Sequence, residues 1–246
     1  MKSHILTLTE NVKGGLNALD YLINRPISNM VGMGMIYGPP GVGKTHFGLR
    51  MSLERGYIYY SICANDTPKS FTKKLLYAVM NNYDTVQEEK LLGTTSVLFD
   101  RIVNEINIHT TNEHIPVLMI DEVDYALTRQ REYLLGTIRD IVDHTAAVAI
   151  LIGMEEARNK LLKCNRHYFD RCNYFCEFHK VAKKDAMKIA KELSEIELAD
   201  DFRELIGTMC QGDIRNVLKF VYSAEKAAKI NNMKSINLQQ WEALSK

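Results

Sequence analysis

The 246-residue sequence has one Trp, five Pro, five Cys and almost no excess charge, with 31 Lys and Arg against 30 Asp and Glu. It also lacks any apolar run near the roughly 18 residues that a membrane-spanning helix needs. Each shortage excludes something. So little proline beside 14 glycines rules out collagen-like and low-complexity chains, and 46% hydrophobic residues rule out intrinsic disorder. An odd cysteine count, with no basic segment leading into an apolar stretch in residues 1–10, leads us to expect reduced thiols and a cytoplasmic protein with no membrane partner. Near-neutral bulk charge does not announce a nucleic-acid binder. The charge is unevenly placed, however: residues 1–156 carry 14 basic and 18 acidic side chains, and residues 157–246 carry 17 and 12.

Hydrophobic patterning predicts an α/β chain. Residues 33–37, 57–63, 116–120 and 147–152 read as strands, and the last two are apolar throughout, as strands buried on both faces are. Helical spacing marks 16–24, 68–80, 91–108 and 131–144. This alternation implies a parallel sheet with helices on both faces. Beyond Gly153 the pattern turns helical at 182–193, 201–209, 214–230 and 238–244, with one further strand at 174–178. The expected division is an α/β domain over residues 1–180 and a small helical lid over 181–246.

Gly38, Pro39, Pro40, Gly41, Val42, Gly43, Lys44 and Thr45 match G-x-x-x-x-G-K-[ST] in full, between a predicted strand and a predicted helix. Glycines let backbone N–H groups turn inward around a β-phosphate, and the helix amino terminus adds its dipole. Lys44 then bridges the β- and γ-phosphates, and the Thr45 oxygen binds Mg²⁺. His46 follows directly and is grouped with the loop, although packing is its plainer use. The second signal is Asp121-Glu122, leaving the carboxyl end of an apolar strand, the edge where open α/β sheets bind ligands. There Asp121 is expected in the Mg²⁺ shell, and Glu122 is expected to orient or deprotonate the attacking water. Asp124 reads as the cap of the following helix. ATP and Mg²⁺ are the cofactors these motifs imply.

A strand, a P-loop, an Asp-Glu strand, a further strand and a helical lid, in that order, resemble an AAA+ ATPase. Residues 117–125 (VLMIDEVDY), 148–154 (VAILIGM), 168–171 (YFDR) and 212–228 (GDIRNVLKFVYSAEKAA) are similar to runs in one branch of these proteins. That branch comprises the ATP-dependent target-DNA activators of Mu-type transposable phages and the regulator ATPases of Tn7-like transposons. The similarity covers roughly residues 10–244. It implies an ATP hydrolase that assembles head to tail, as filament or ring, on duplex DNA and delivers that DNA to a transposase in a bacterial or phage-infected cell. Arg171 matches the arginine finger that reaches a neighbouring subunit's nucleotide, with Arg166 as its competitor. Arg215 matches the second sensor. Where the family places a polar sensor after the strand at 148–152, Gly153-Met154 stands instead, and a thioether is a weak acceptor, so hydrolysis is expected to be slow. The helix-turn-helix module of the phage activators has no match here, so the DNA affinity it gives its owners is not carried over.

In the resembling ATPases the helix after the second strand lines the central channel, which makes Lys69, Lys73 and Lys74 candidates for DNA contact, with Thr67 and Ser70 as further donors. Lys69 and Lys73 share a face opposite Phe71 and Leu75. Arg129 and Arg131 extend the set from the loop after Asp121-Glu122. Such contacts go to phosphates and are therefore indifferent to sequence and sensitive to salt. A nucleotide-switched protein scaffold or loader without DNA affinity is the alternative. Cys164, His167, Cys172, Cys176 and His179 crowd together as zinc sites do, but their spacing fits no standard knuckle. A half-buried strand with reduced cysteines is the expectation there.

Overall fold

A computed structural model describes residues 1–244 except 3, 4, 112 and 165. It divides into two compact units, one of Gly14–Gly38 and Lys44–Glu177, the other of Met1–Lys13, Pro39–Gly43 and Phe178–Lys246.

The first unit is built on five parallel strands: β1 (Met33–Gly38), β2 (Ile58–Ser61), β3 (Val117–Asp121), β4 (Val148–Met154) and β5 (Cys172–Glu177). Their order across the sheet is β2-β3-β4-β1-β5. The central strands are the most apolar. Every residue of β3 is buried, and so is β4 up to Gly153, because helices cover both faces. The helices are α1 (Glu10–Ile23), α2 (Lys44–Arg55), α3 (Pro68–Asn82), α4 (Thr95–Ile108), α5 (Glu132–His144), α6 (Ala157–Cys164) and α7 (Arg166–Arg171). Phe71, Leu75, Leu76 and Val79 of α3, Leu98 and Ile102 of α4 and Ile138 of α5 close the core over β2 and β3.

Several element boundaries differ from the expectation for local reasons. Helix α1 starts at Glu10 rather than residue 16, where the Thr9 hydroxyl accepts the Val12 N–H. The helix expected from residue 91 starts at Thr95, because the Thr94 hydroxyl accepts the Val97 N–H, and Glu88–Leu91 is a separate 3-10 turn. Helix α3 keeps its expected start: Thr67 and Ser70 form a reciprocal capping box on either side of Pro68, the first helical residue. This spends both hydroxyls on the helix end. The strand expected at 174–178 runs Cys172–Glu177, with α6 and α7 preceding it.

The second unit holds α8 (Lys183–Leu193), α9 (Asp200–Met209), α10 (Ile214–Ile230) and α11 (Leu238–Leu244) around Phe202, Ile206, Val217, Val221 and Ile236. Two-residue strands β6 (Glu197–Leu198) and β7 (Ser235–Ile236) pair in parallel. They are too short to leave an alternating signature in the sequence.

Candidate functional site

The P-loop leaves β1 at Gly38, which lies in register with Met154 at the end of β4. Gly41 and Gly43 hold φ of 79° and 96°, a conformation that side chains resist. A Cβ on Gly41 would also fall 2.3 Å from the Asp213 carboxylate, and the Gly41 carbonyl accepts the Ile214 N–H at 2.8 Å. Lys44 opens α2, is 8% exposed, and donates to the Gly38 carbonyl at 2.7 Å. Val42 is buried and Pro39 half-buried, whereas Pro40, Thr45 and His46 are exposed.

Asp121 ends β3 and is 3% exposed. Its Oδ2 accepts from the Tyr59 hydroxyl at 2.7 Å and its Oδ1 from the Glu122 N–H at 2.8 Å. Each oxygen thus keeps a lone pair for another partner. Glu122 takes the left-handed conformation, φ 55° and ψ 37°, as the chain turns from β3 into a 3-10 turn at Val123–Tyr125. Burial raises its pKa above the ordinary carboxylate value, Asp121 and Asp124 raise it further, and Lys44 opposes them. Burial and the bond to Asp121 push the Tyr59 phenol upward, so it stays a donor.

Asp124 does not cap a helix as expected. Its carboxylate accepts the Met154 N–H at 2.6 Å and pairs with Lys160 at 3.3 Å, tying the turn after β3 to the end of β4. A Cβ on Gly153 would sit 2.6 Å from the Ala157 Cβ and 3.0 Å from Asp124, so this junction is closed. The Met154 side chain beside it is exposed.

Arg171 ends α7 paired with Asp143 of α5, while Arg166 pairs with Asp170 at 3.6 Å. Arg215 is exposed on the first turn of α10, where its N–H bonds the capping Asp213 carboxylate. Lys69, Lys73 and Arg129 are exposed. The other two cations expected on phosphates have structural partners. Lys74 bonds Asp66 at 2.7 Å, and Arg131 donates to the carbonyls of Ala64, Cys63 and Asp66 at 2.9, 2.9 and 3.0 Å. Of the cations expected on phosphates, this leaves Lys69, Lys73 and Arg129 without an ion pair among the described residues. Sequence reasoning missed the buried Asp66 carboxylate, which also accepts from Tyr60 at 2.7 Å and the Cys63 N–H at 2.8 Å. It missed Tyr59 as well. The one available signal was the alternation of side chains along β2, which sends consecutive tyrosines to opposite faces.

Of the cysteine and histidine cluster, Cys172 and Cys176 are buried on β5, and burial pushes their thiols up to about 12 and about 11. Such thiols are poor thiolate ligands. Among the described residues no group of three or more His, Cys, Asp or Glu side chains gathers to hold a metal ion, and the Cys164 side chain lies outside them.

A glycine loop between a buried strand and a helix, in one parallel sheet with a strand ending in Asp-Glu, defines a P-loop nucleoside triphosphatase. The chain belongs to the AAA domain family, whose model matches residues 30–161, and its fold is that of an AAA+ ATPase. Replication factor C subunit 1 of Saccharomyces cerevisiae is 28% identical over 216 residues, covering 85% of this chain and 23% of that protein. The chain therefore spans less than a quarter of this relative. The Aeropyrum pernix ORC2 protein in its ADP form matches with a TM-score of 0.70 at 14% identity, over 100% of this chain and 71% of that one. Drosophila ORC bound to DNA matches at 0.64 and 16% identity, over 100% of this chain and 62% of that one.

Proposed function

We propose that the chain is a slow ATP hydrolase that assembles head to tail on duplex DNA, holds it by its phosphates and delivers it to a transposase as target. The observation that carries the ATPase reading is the Asp121-Glu122 pair at the end of β3, in the same parallel sheet as β1, which leads into the P-loop and Lys44. Backbone N–H groups of residues 41–45 cradle the β-phosphate, and Lys44 exchanges the Gly38 carbonyl for phosphate oxygens. The lone pairs left on Asp121 and the exposed hydroxyl of Thr45 fit a magnesium ion: these two residues would hold it, and it offsets phosphate charge when bound. Glu122 accepts the proton of the water that attacks the γ-phosphorus, and its raised pKa makes it a better base than a fully solvated carboxylate. Arg171 exchanges Asp143 for the nucleotide of a neighbouring subunit, and Arg215 senses that nucleotide within its own subunit.

Lys69 and Lys73 on α3, with Arg129, supply the DNA contacts. Few contacts per subunit suffice once assembly multiplies them along the duplex. Support for the transposase comes from the resemblance of four sequence runs to the phage and transposon ATPases. A second reading, a protein scaffold or loader without DNA affinity, is favoured by one observation: Lys74 and Arg131 spend their charge within the chain. Duplex binding with and without ATP, at two salt concentrations, separates the two. ATP-gated binding that weakens with salt supports the first, and none at low salt leaves the second.

A further inference from the structure

Helix α10 buries Val217, Val221, Ala224 and Ala228, which share one face. At 3.6 residues per turn, the opposite face carries Arg215, Lys219, Tyr222, Lys226 and Lys229 within an arc of about 80° and over a length of about 21 Å. All five are exposed, Tyr222 to 62%. Among the described residues none of the four cations is ion-paired. Glu225, the one acidic residue of the helix, lies outside this arc and is taken up by the Met1 amino group and the Glu195 N–H. Glu195, which Lys229 influences, has its carboxylate paired with Met1 at 2.9 Å. With Arg215 assigned to the nucleotide, Lys219, Lys226 and Lys229 remain, and in a chain of net charge +1 three like charges on one helix face, with no anion among them, are a segregated patch. An ordinary solvated face mixes both signs.

We infer that this outer face of α10 is a binding surface for the phosphate backbone of duplex DNA, additional to α3. The inference rests on the DNA-binding reading above and names a second place where the duplex is held. Single-sign charge in a row matches a polyanion with one phosphate per about 1.7 Å of axis. The central Tyr222 hydroxyl can donate to a phosphate oxygen, as tyrosines on DNA backbones do. A lipid surface fits less well. An interfacial helix must sink its apolar face into the bilayer, and the apolar face of α10 is occupied by the core around Phe202 and Ile206.

The test uses the full chain with ATP and Mg²⁺, a fluorescent duplex of mixed sequence, and affinity measured across a range of salt. Lys219→Gln, Lys226→Gln and Lys229→Gln are combined, and Arg215 is left in place because it is assigned to the nucleotide. The slope of log affinity against log salt should flatten by up to about 2.7, or about 0.9 for each lysine, equally for all sequences. The melting shift produced by ATP should stay at its wild-type value, and Lys→Arg at the same three positions should restore binding. A Gln variant that keeps the wild-type affinity and slope overturns the inference, as does one that loses only its affinity for phosphatidylglycerol vesicles. If that variant binds normally while Lys69→Ala with Lys73→Ala does not, the DNA reading stands and the α10 surface alone falls. If the wild type shows an ATP melting shift but no duplex binding at low salt, both fall.

Discussion

Tyr59 and Tyr60, consecutive on β2, donate their hydroxyls to different carboxylates at the same distance of 2.7 Å: Tyr59 to Asp121 at the end of β3, Tyr60 to Asp66 in the loop before α3. Because side chains alternate along a strand, one dipeptide orients the metal-binding candidate on one face and anchors the loop leading to the DNA candidates on the other. Tyr59→Phe removes a donor to a charged acceptor, a bond worth about 1.5–3 kcal/mol, and leaves the ring packing in place. The expected outcome is a smaller melting shift with ATP and Mg²⁺ and a similar shift with ATP alone, read by differential scanning fluorimetry.

Lys44→Ala should abolish the melting shift that ATP with Mg²⁺ gives the wild type. A ligand that binds only the folded state stabilises it by about 2.7 kcal/mol at a hundredfold excess over Kd. An unshifted wild type at millimolar ATP would remove the nucleotide assignment.

Glu122→Gln should bind ATP and stop turnover, since it keeps Asp121 and loses the proton acceptor. The direction of the Glu122 shift also fixes a pH dependence. A base must be ionised, so hydrolysis is lost as pH falls through a pKa raised above 4.5. The acid limb of kcat should therefore lie above the value for an ordinary glutamate, and a limb below it would show that another group limits the rate.

Arg171→Ala and Lys44→Ala subunits, each inactive alone, should recover part of the ATPase activity when mixed. An arginine acting in trans lets the first supply an intact P-loop to the Arg171 of the second. Co-assembled mixtures that stay inactive at every ratio would assign Arg171 to its bond with Asp143.

Asp66 offers a measurement on the loop itself. Burial alone would raise its pKa, but hydrogen bonds from Lys74, the Cys63 N–H and Tyr60 together outweigh it, and the net direction is down. For a carboxylate depressed on folding, the stability it contributes is present above its unfolded value, near 3.8, and is lost as pH falls through the folded one. Asp66→Asn should be less stable than the wild type at neutral pH, and the gap should narrow below about pH 4. Urea unfolding at a series of pH values reads this directly.

The loop between β1 and α2 was legible in the sequence because its motif is contiguous: eight residues carry glycine freedom, lysine charge and threonine hydroxyl at fixed spacing. The sheet was legible for a related reason, since β3 and β4 are apolar without interruption. What stayed hidden is long-range pairing. Nothing local in Asp124 says that it will meet the Met154 N–H thirty residues on, and nothing in Arg131 reveals the three carbonyls of the β2 to α3 loop. A residue seen alone is assigned to solvent or to a cap, and partners brought together by the sheet decide otherwise.

Gly41 carries a genetic consequence. Two independent constraints oppose a side chain there, the backbone angle of the loop and the Asp213 carboxylate. Truncating Asp213 to glycine would clear the space and leave the angle unrelieved, and it would strip the cap from α10 as well. Asp213→Gly alone should therefore fail to suppress Gly41→Ala, because it relieves one of the two constraints and adds the loss of a helix cap.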